Sequence, residues 1–150
     1  MVKIESIIKY CKYIIIYKSP LTIKDQTKLI NTIMKTETVL LPSQTIIQFY
    51  IGQNARENTE LVKDSDDDDI WFHAADGVSS CHVVAKIKET IDPTDTTFLL
   101  KTGAQLCKNY TNKLKAIKRV PIIYTTVNNV HTTKTHGEVT LSGTVGRLSV

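Results

Sequence analysis

Long apolar runs are missing from this chain of 150 residues. The run Tyr13-Ile14-Ile15-Ile16-Tyr17 lies between Lys12 and Lys18. It falls far short of the about 20 apolar residues of a membrane span, and it does not read as a signal peptide. Cysteine is scarce as well. Cys11, Cys81 and Cys107 lie far apart with no C-x-x-C. An odd, scattered set argues against a disulfide framework and for a reducing compartment. The expectation is a soluble, cytoplasmic protein with no membrane association. Glycine and proline are too few for a collagenous or low-complexity chain, and no repeat is visible. Acidic side chains are absent from Lys101 through Gly137, although the chain as a whole carries only +4.

What is present is concentrated. The single tryptophan, two of four histidines and one cysteine fall between residues 69 and 84. They occupy Asp69-Ile70-Trp71-Phe72-His73 and Ser79-Ser80-Cys81-His82-Val83-Val84. The pattern predicts strands over Ile70–Ala74 and Cys81–Lys88, antiparallel and joined by a turn at Gly77–Ser80. Alternation then sets Ile70, Phe72 and Ala74 on one face and Trp71 and His73 on the other.

Upstream, Lys12–Lys18 is β-rich. Apolar spacing from Thr22 predicts a helix ending near Thr36. Residues 1–43 read as an N-terminal extension of strand plus helix, before a domain over 44–150. Within that domain Gln44–Gln53 is strand-like and Glu57–Lys63 reads as a short helix or turn. Asp66–Asp69 is expected to be a solvated acidic loop. A second principal helix starts near Thr96, with Gly103 marking close packing onto a sheet. Val120–Val130, Gly137–Ser142 and Arg147–Val150 read as strands. The expectation is an α+β fold, a mainly antiparallel sheet with two principal helices packed on one face.

The chemistry these residues can carry is narrower than their types suggest. Adjacent strand residues point to opposite faces, so Cys81 and His82 are poor joint metal ligands and a poor nucleophile–base pair. Cys81 with His73 fits across a hairpin, against the plainer reading of Cys81 as a small buried hydrophobe. No metal, cofactor or catalytic residue is assigned. The acid-free span is more telling. It holds Lys101, Lys108, Lys113, Lys115, Lys118, Arg119 and Lys134, with Tyr110, Tyr124 and several asparagines interleaved. Amines complement phosphates, and aromatic and amide groups stack on or hydrogen-bond bases. Lysines that merely solubilise a helix would look the same.

Four segments together resemble the NFACT RNA-binding domain family, often called NFACT-R. They are Tyr50–Leu61 with its Gly52-Gln53-Asn54 and Asn58-x-x-Leu61, the Asp69–His73 strand, Ser80-Cys81-His82-Val83-Val84, and Ile123-Tyr124-Thr125 through Gly137-Glu138-Val139. Order and spacing match over about residues 44–150. The chain departs from the family at Gln53, often Arg, and at Ser79-Ser80-Cys81, where many members have Pro-Gly-Ser. The latter looks more like the small stand-alone eukaryotic members. The coiled coil and glycosylase-like domain of full-length members are not seen in this sequence.

The resemblance implies a non-enzymatic, RNA-binding module. Full-length members act in ribosome-associated quality control, which implies tRNA or rRNA as ligand and the ribosome as a further partner; DNA offers the same phosphates. By resemblance and charge, Asn54, Arg56 and Asn58 with Trp71, His73 and His82 form or support the site. Lys108, Lys113, Lys115, Lys118, Arg119 and Lys134 supply phosphate attraction. His82 has a structural alternative, locking the hairpin by a buried hydrogen bond. Two other functions stay open: a protein-interaction or ribosome-docking module, and a small metal-dependent or Cys/His hydrolase.

Overall fold

A computed structural model describes residues 34–150. The strand and most of the helix expected upstream lie outside the described residues. The expected end of that helix is corrected. Lys35 and Thr36 are already extended, in β1 (Lys35–Leu40), and pair with Ile51 and Tyr50 of β2 (Ile46–Gly52). The run Thr36-Glu37-Thr38-Val39 is rich in β-branched residues, and sheet pairing holds it extended.

Helix α1 (Ala55–Lys63) follows β2, and then come β3 (Ile70–Ala74) and β4 (His82–Lys86). The long helix α2 spans Pro93–Asn109. It begins three residues before the expected Thr96 because Asp92 caps it, accepting from the Thr94 N–H at 2.8 Å, and Pro93 suits its first position. The expected strand Val120–Val130 is broken. β5 (Pro121–Thr126) gives way to a 3-10 turn at Val127–Asn129 before β6 (Val130–Thr132). The break follows from two bonds: the Val127 and Asn128 N–H groups donate to the carbonyls of Asp69 and Asp67. Asn128-Asn129 suits such a turn. β7 (Val139–Leu141) and β8 (Gly146–Ser149) complete the chain.

Six strands form one antiparallel sheet in the order β1-β2-β4-β3-β5-β8, and β6 pairs with β7 in a separate ribbon. The fold is α+β. The two helices do not share a face, which corrects the one-face expectation. Phe49, Phe72, Val83 and Ile122 pack with Leu99, Ala104 and Cys107 of α2. Trp71 and Val84 pack with Leu61 and Val62 of α1 and with Val127 and Val130. The reason lies in the central strands. Consecutive residues Trp71-Phe72 and Val83-Val84 are all buried, so both faces need cover.

The acidic loop also departs from expectation. Asp66, Asp67 and Asp68 are exposed, but Asp69 is fully buried. Its Oδ2 accepts from Lys86 Nζ at 2.7 Å and from the Asp66 N–H at 2.8 Å, and its Oδ1 accepts from the Ile87 N–H at 2.8 Å. A buried carboxylate is tolerable only when its oxygens are engaged in this way. No helix among the described residues is long and apolar enough to cross a membrane.

Gly103 is where α2 meets the sheet: a Cβ there would overlap the Phe72 ring. Overpacking of this kind costs about 1–3 kcal/mol, more than the about 1 kcal/mol that alanine gains over glycine in a helix. Gly103→Ala is therefore expected to lower stability, by up to about 2 kcal/mol in chemical denaturation, although propensity alone predicts a gain.

Candidate nucleic-acid interface

The site forms where the two central strands part. β3 and β4 pair through Phe72–Val83 and no further, while His73 and Ala74 go on pairing with β5. Side chains take over from the ladder at this end. Ser80 Oγ accepts from the Ala74 N–H at 2.9 Å, and Asn58 Oδ1 accepts from the His82 N–H at 3.0 Å. Thr111 Oγ1, just beyond α2, accepts from the Cys81 N–H at 3.0 Å. The gap between the strands opens into a cleft of about 930 Å3.

Alternation decides what reaches that cleft. Trp71, His73 and His82 lie on the α1 side. Trp71 and His73 stack in parallel, 3° apart at 5.4 Å between ring centres. His82 stands edge-on to both, at 5.2 Å from Trp71 and 5.1 Å from His73. Cys81 points the other way, into the α2 core. Its Sγ donates to the Cys107 carbonyl at 3.4 Å and accepts from the Thr111 hydroxyl at 3.4 Å. No histidine bonds to this thiol among the described residues, and these contacts favour the small buried hydrophobe over a Cys–His nucleophile.

Burial sets the protonation of the two histidines. His82 is 1% exposed, and neither ring nitrogen has a hydrogen-bond partner among the described residues. Desolvation, aided by the neighbouring His73, pulls its pKa from 6.5 down to about 3. His73 is half-buried. Its pKa is lowered chiefly by burial and also by the Lys113 ammonium, against the opposing effect of its bond to the Ala74 carbonyl. That bond, 2.8 Å from Nδ1 to a group that only accepts, puts the ring proton on Nδ1. Both imidazoles are neutral near pH 7. A hairpin lock through a bond from the His82 ring is not found; its backbone N–H makes the bond instead, to Asn58.

Other expected site residues have structural employment. Asn54 caps α1, accepting from the Glu57 N–H at 2.9 Å and donating to the Glu57 carboxylate at 2.6 Å. Glu57 in turn accepts from the N–H of Gln53, the residue before the cap, at 2.9 Å, a variant of the capping box. Asn58 is buried, with its Nδ2 donating to the Ser80 carbonyl at 3.5 Å. A Cβ at Gly52 would overlap the Asn58 side chain, so Gly52 and Asn58 form a matched pair. Arg56 is exposed on α1.

The basic residues divide. Lys108 is buried and its Nζ donates to a Val150 backbone oxygen at 3.2 Å, which removes it from the phosphate-facing set. Lys113, Lys115, Lys118, Arg119 and Lys134 are exposed. Lys113 lines the cleft itself, with Asn112 and Tyr110 beside it. His136, two residues beyond Lys134, also lines the cleft, and the Gly137 N–H next to it is fastened to Thr59 Oγ1 at 2.7 Å. Two carboxylates at the rim are already engaged. Asp76 takes a two-pronged bond from Arg147 at 2.8 and 2.6 Å, and Glu138 accepts from Thr133 Oγ1 at 2.7 Å. The Arg147 guanidinium holds the Asp76 carboxyl below its usual range.

Sequence reasoning did not anticipate the anchoring of Cys81 by Thr111, or Arg147 at the rim. Neither carries a local signal, since their partners lie 30 and 71 residues away.

Comparison with known proteins follows the same residues. The profile of the NFACT protein RNA binding domain matches residues 38–147. The chain belongs to the NFACT RNA-binding domain family. A curated relative, Coiled-coil domain-containing protein 25 of Danio rerio, is 34% identical over 100 residues, covering 65% of this chain and 46% of that protein. The C-terminal part of the fibronectin/fibrinogen-binding protein of Streptococcus suis superposes with a TM-score of 0.63 at 25% identity. That match covers 81% of this chain and 47% of the other. The chain thus spans under half of either relative. The NFACT-R match takes in part of β1, the cleft and the basic segment.

The buried imidazole of this NFACT-R domain makes an acid-sensitive core. Between the folded pKa of about 3 and the unfolded value near 6.5, the unfolded chain binds a proton that the fold refuses. Proton binding at His82 therefore takes nothing from stability above pH about 6.5, and stability falls as pH drops below it, by at most about 1.4 kcal/mol per pH unit. Between pH 7 and pH 5 the melting temperature of the wild type is expected to fall further than that of His82→Leu. Equal falls would show that His82 carries none of the effect.

Proposed function

We propose that this domain binds RNA, with the cleft as the point of contact and the segment from Lys113 to Arg119 as its phosphate guide. The observation that carries this reading is the position of Lys113. It comes from the acid-free span and stands on the cleft rim close enough to His73 to depress its pKa. A cation beside neutral aromatic rings suits a polyanion whose bases have flat faces. Of the two carboxylates at the rim, Asp76 is neutralised by Arg147, which leaves Glu138 with its charge against the exposed cations of the acid-free span. Lys115, Lys118, Arg119 and Lys134 extend the positive surface, and Arg56 adds to it from α1.

Family membership supports RNA over other polyanions. Within that reading, transfer or ribosomal RNA is the natural ligand, and a role on the ribosome in quality control follows by kinship with larger members. The trio acts as a binding surface and not as a reaction centre. The described residues contain no cluster of three metal-ligating side chains.

The test is fluorescence anisotropy with single-stranded RNA, structured RNA and duplex DNA at two salt concentrations. Binding to RNA should weaken steeply with salt. The double change Lys118→Ala, Arg119→Ala should weaken binding to every RNA and reduce the salt slope by about 2, one unit per lost phosphate contact. Tighter binding to DNA than to RNA at equal salt would reverse the choice of ligand. Salt-insensitive or absent binding to all three would overturn the proposal.

A further inference from the structure

The arrangement of the trio goes beyond attraction to a polyanion. Trp71 and His82 are both 1% exposed, so the accessible surface of the stack belongs to His73. Trp71 covers one face of the His73 ring, and His82 stands edge-on beside it. Ile123 is its neighbour on β5. The other ring face is turned away from Trp71. His73 lines the cleft together with Asp76, Gly77, Ser79 and Ser80 of the β3–β4 connection.

This surface is also held still. The Nδ1 bond to the Ala74 carbonyl fixes the plane of the ring, and the Ala74 N–H is fixed in turn by Ser80. A ring clamped parallel to a buried indole is a prepared stacking platform, since little freedom remains to be lost on binding. Beneath it lie the Trp71 Nε1 and both His82 ring nitrogens, buried and without hydrogen-bond partners among the described residues. An apolar floor would support the fold better than polar atoms left in that condition. Asn112 and Lys113 stand at the mouth, an amide and an ammonium within the same cleft.

The cleft is concave, whereas the bases of an A-form duplex are stacked and their grooves are read mainly through sugars and phosphates. A base reaches a recessed aromatic face only when it is unpaired. We infer that the cleft receives an unpaired nucleobase stacked on the open face of His73, with Lys113 on its phosphate, so that the domain prefers single-stranded RNA positions to uninterrupted duplex. This rests on the RNA-binding reading above and adds the class of RNA. The stack reads a base face, which every base has, so the preference is for strandedness more than for sequence.

The experiment compares one single-stranded oligoribonucleotide with the same strand annealed to its complement, at matched salt. The full chain is used, as wild type, His73→Ala and His73→Phe. The wild type should bind the single strand about tenfold or more tightly than the duplex, and His73→Ala should lose about that factor for the single strand alone. The salt slope should not move, because no charge is removed. His73→Phe, which keeps a flat ring, should restore the preference. A 2-aminopurine base in the single strand should change its fluorescence when the wild type binds, a readout that stands even if a variant misfolds. Equal affinity for both strand states, or an unresponsive 2-aminopurine in a strand that binds, overturns the inference and leaves RNA binding intact. No binding to either RNA overturns both.

Discussion

The hydrogen bond from the His82 N–H to Asn58 Oδ1 is the fastening on which the rest of the cleft depends. It joins α1 to the first residue of β4, at the point where β3 and β4 cease to pair. An unpaired N–H in this buried position would be costly. The same amide reaches the Ser80 carbonyl, and Ser80 holds the Ala74 N–H, which leads to the carbonyl that fixes His73. One asparagine side chain thus sets the stations of both histidines. It leaves no room for a side chain at Gly52.

Much of this was legible in the chain. Two-residue alternation separated Trp71 and His73 from Phe72, and His82 from Cys81, because the period of a strand is indifferent to its neighbours. Gly103 was readable as a close approach because glycine is expensive within a helix unless something needs the space. The placement of the helices on opposite faces was harder to read. Four adjacent buried residues in β3 and β4 needed cover on both sides, but short apolar runs do not say which element supplies it. The break after Thr126 was hidden for a different reason. Its causes are the carbonyls of Asp67 and Asp69, nearly sixty residues away in sequence, and Val127 has a strand-like side chain of its own.

Charge was legible as composition but not as position. A span without acids correctly marked a cation-rich region, yet Lys108 within it is buried against Val150. Helix α2 faces the sheet with Gly103, Ala104, Cys107 and Lys108, so a lysine on that stripe has to find an acceptor or leave the core. In the acidic run the same distinction appears with the sign reversed, since Asp69 lies under Lys86 while its neighbours face water. Counting charges locates a candidate face; the direction of each side chain decides which of them a partner meets.

The two ion pairs near the ends of β3 give the cleft an uneven mechanical character. Asp69 and Lys86 are sheltered and reinforced by backbone donors, so dissolved ions reach them poorly. Arg147 and Asp76 meet in the open, where mobile ions compete for both partners. Raising ionic strength thus slackens the clasp between β8 and the β3–β4 connection and leaves the floor unchanged. The cleft is a stiff anvil with one salt-yielding lip.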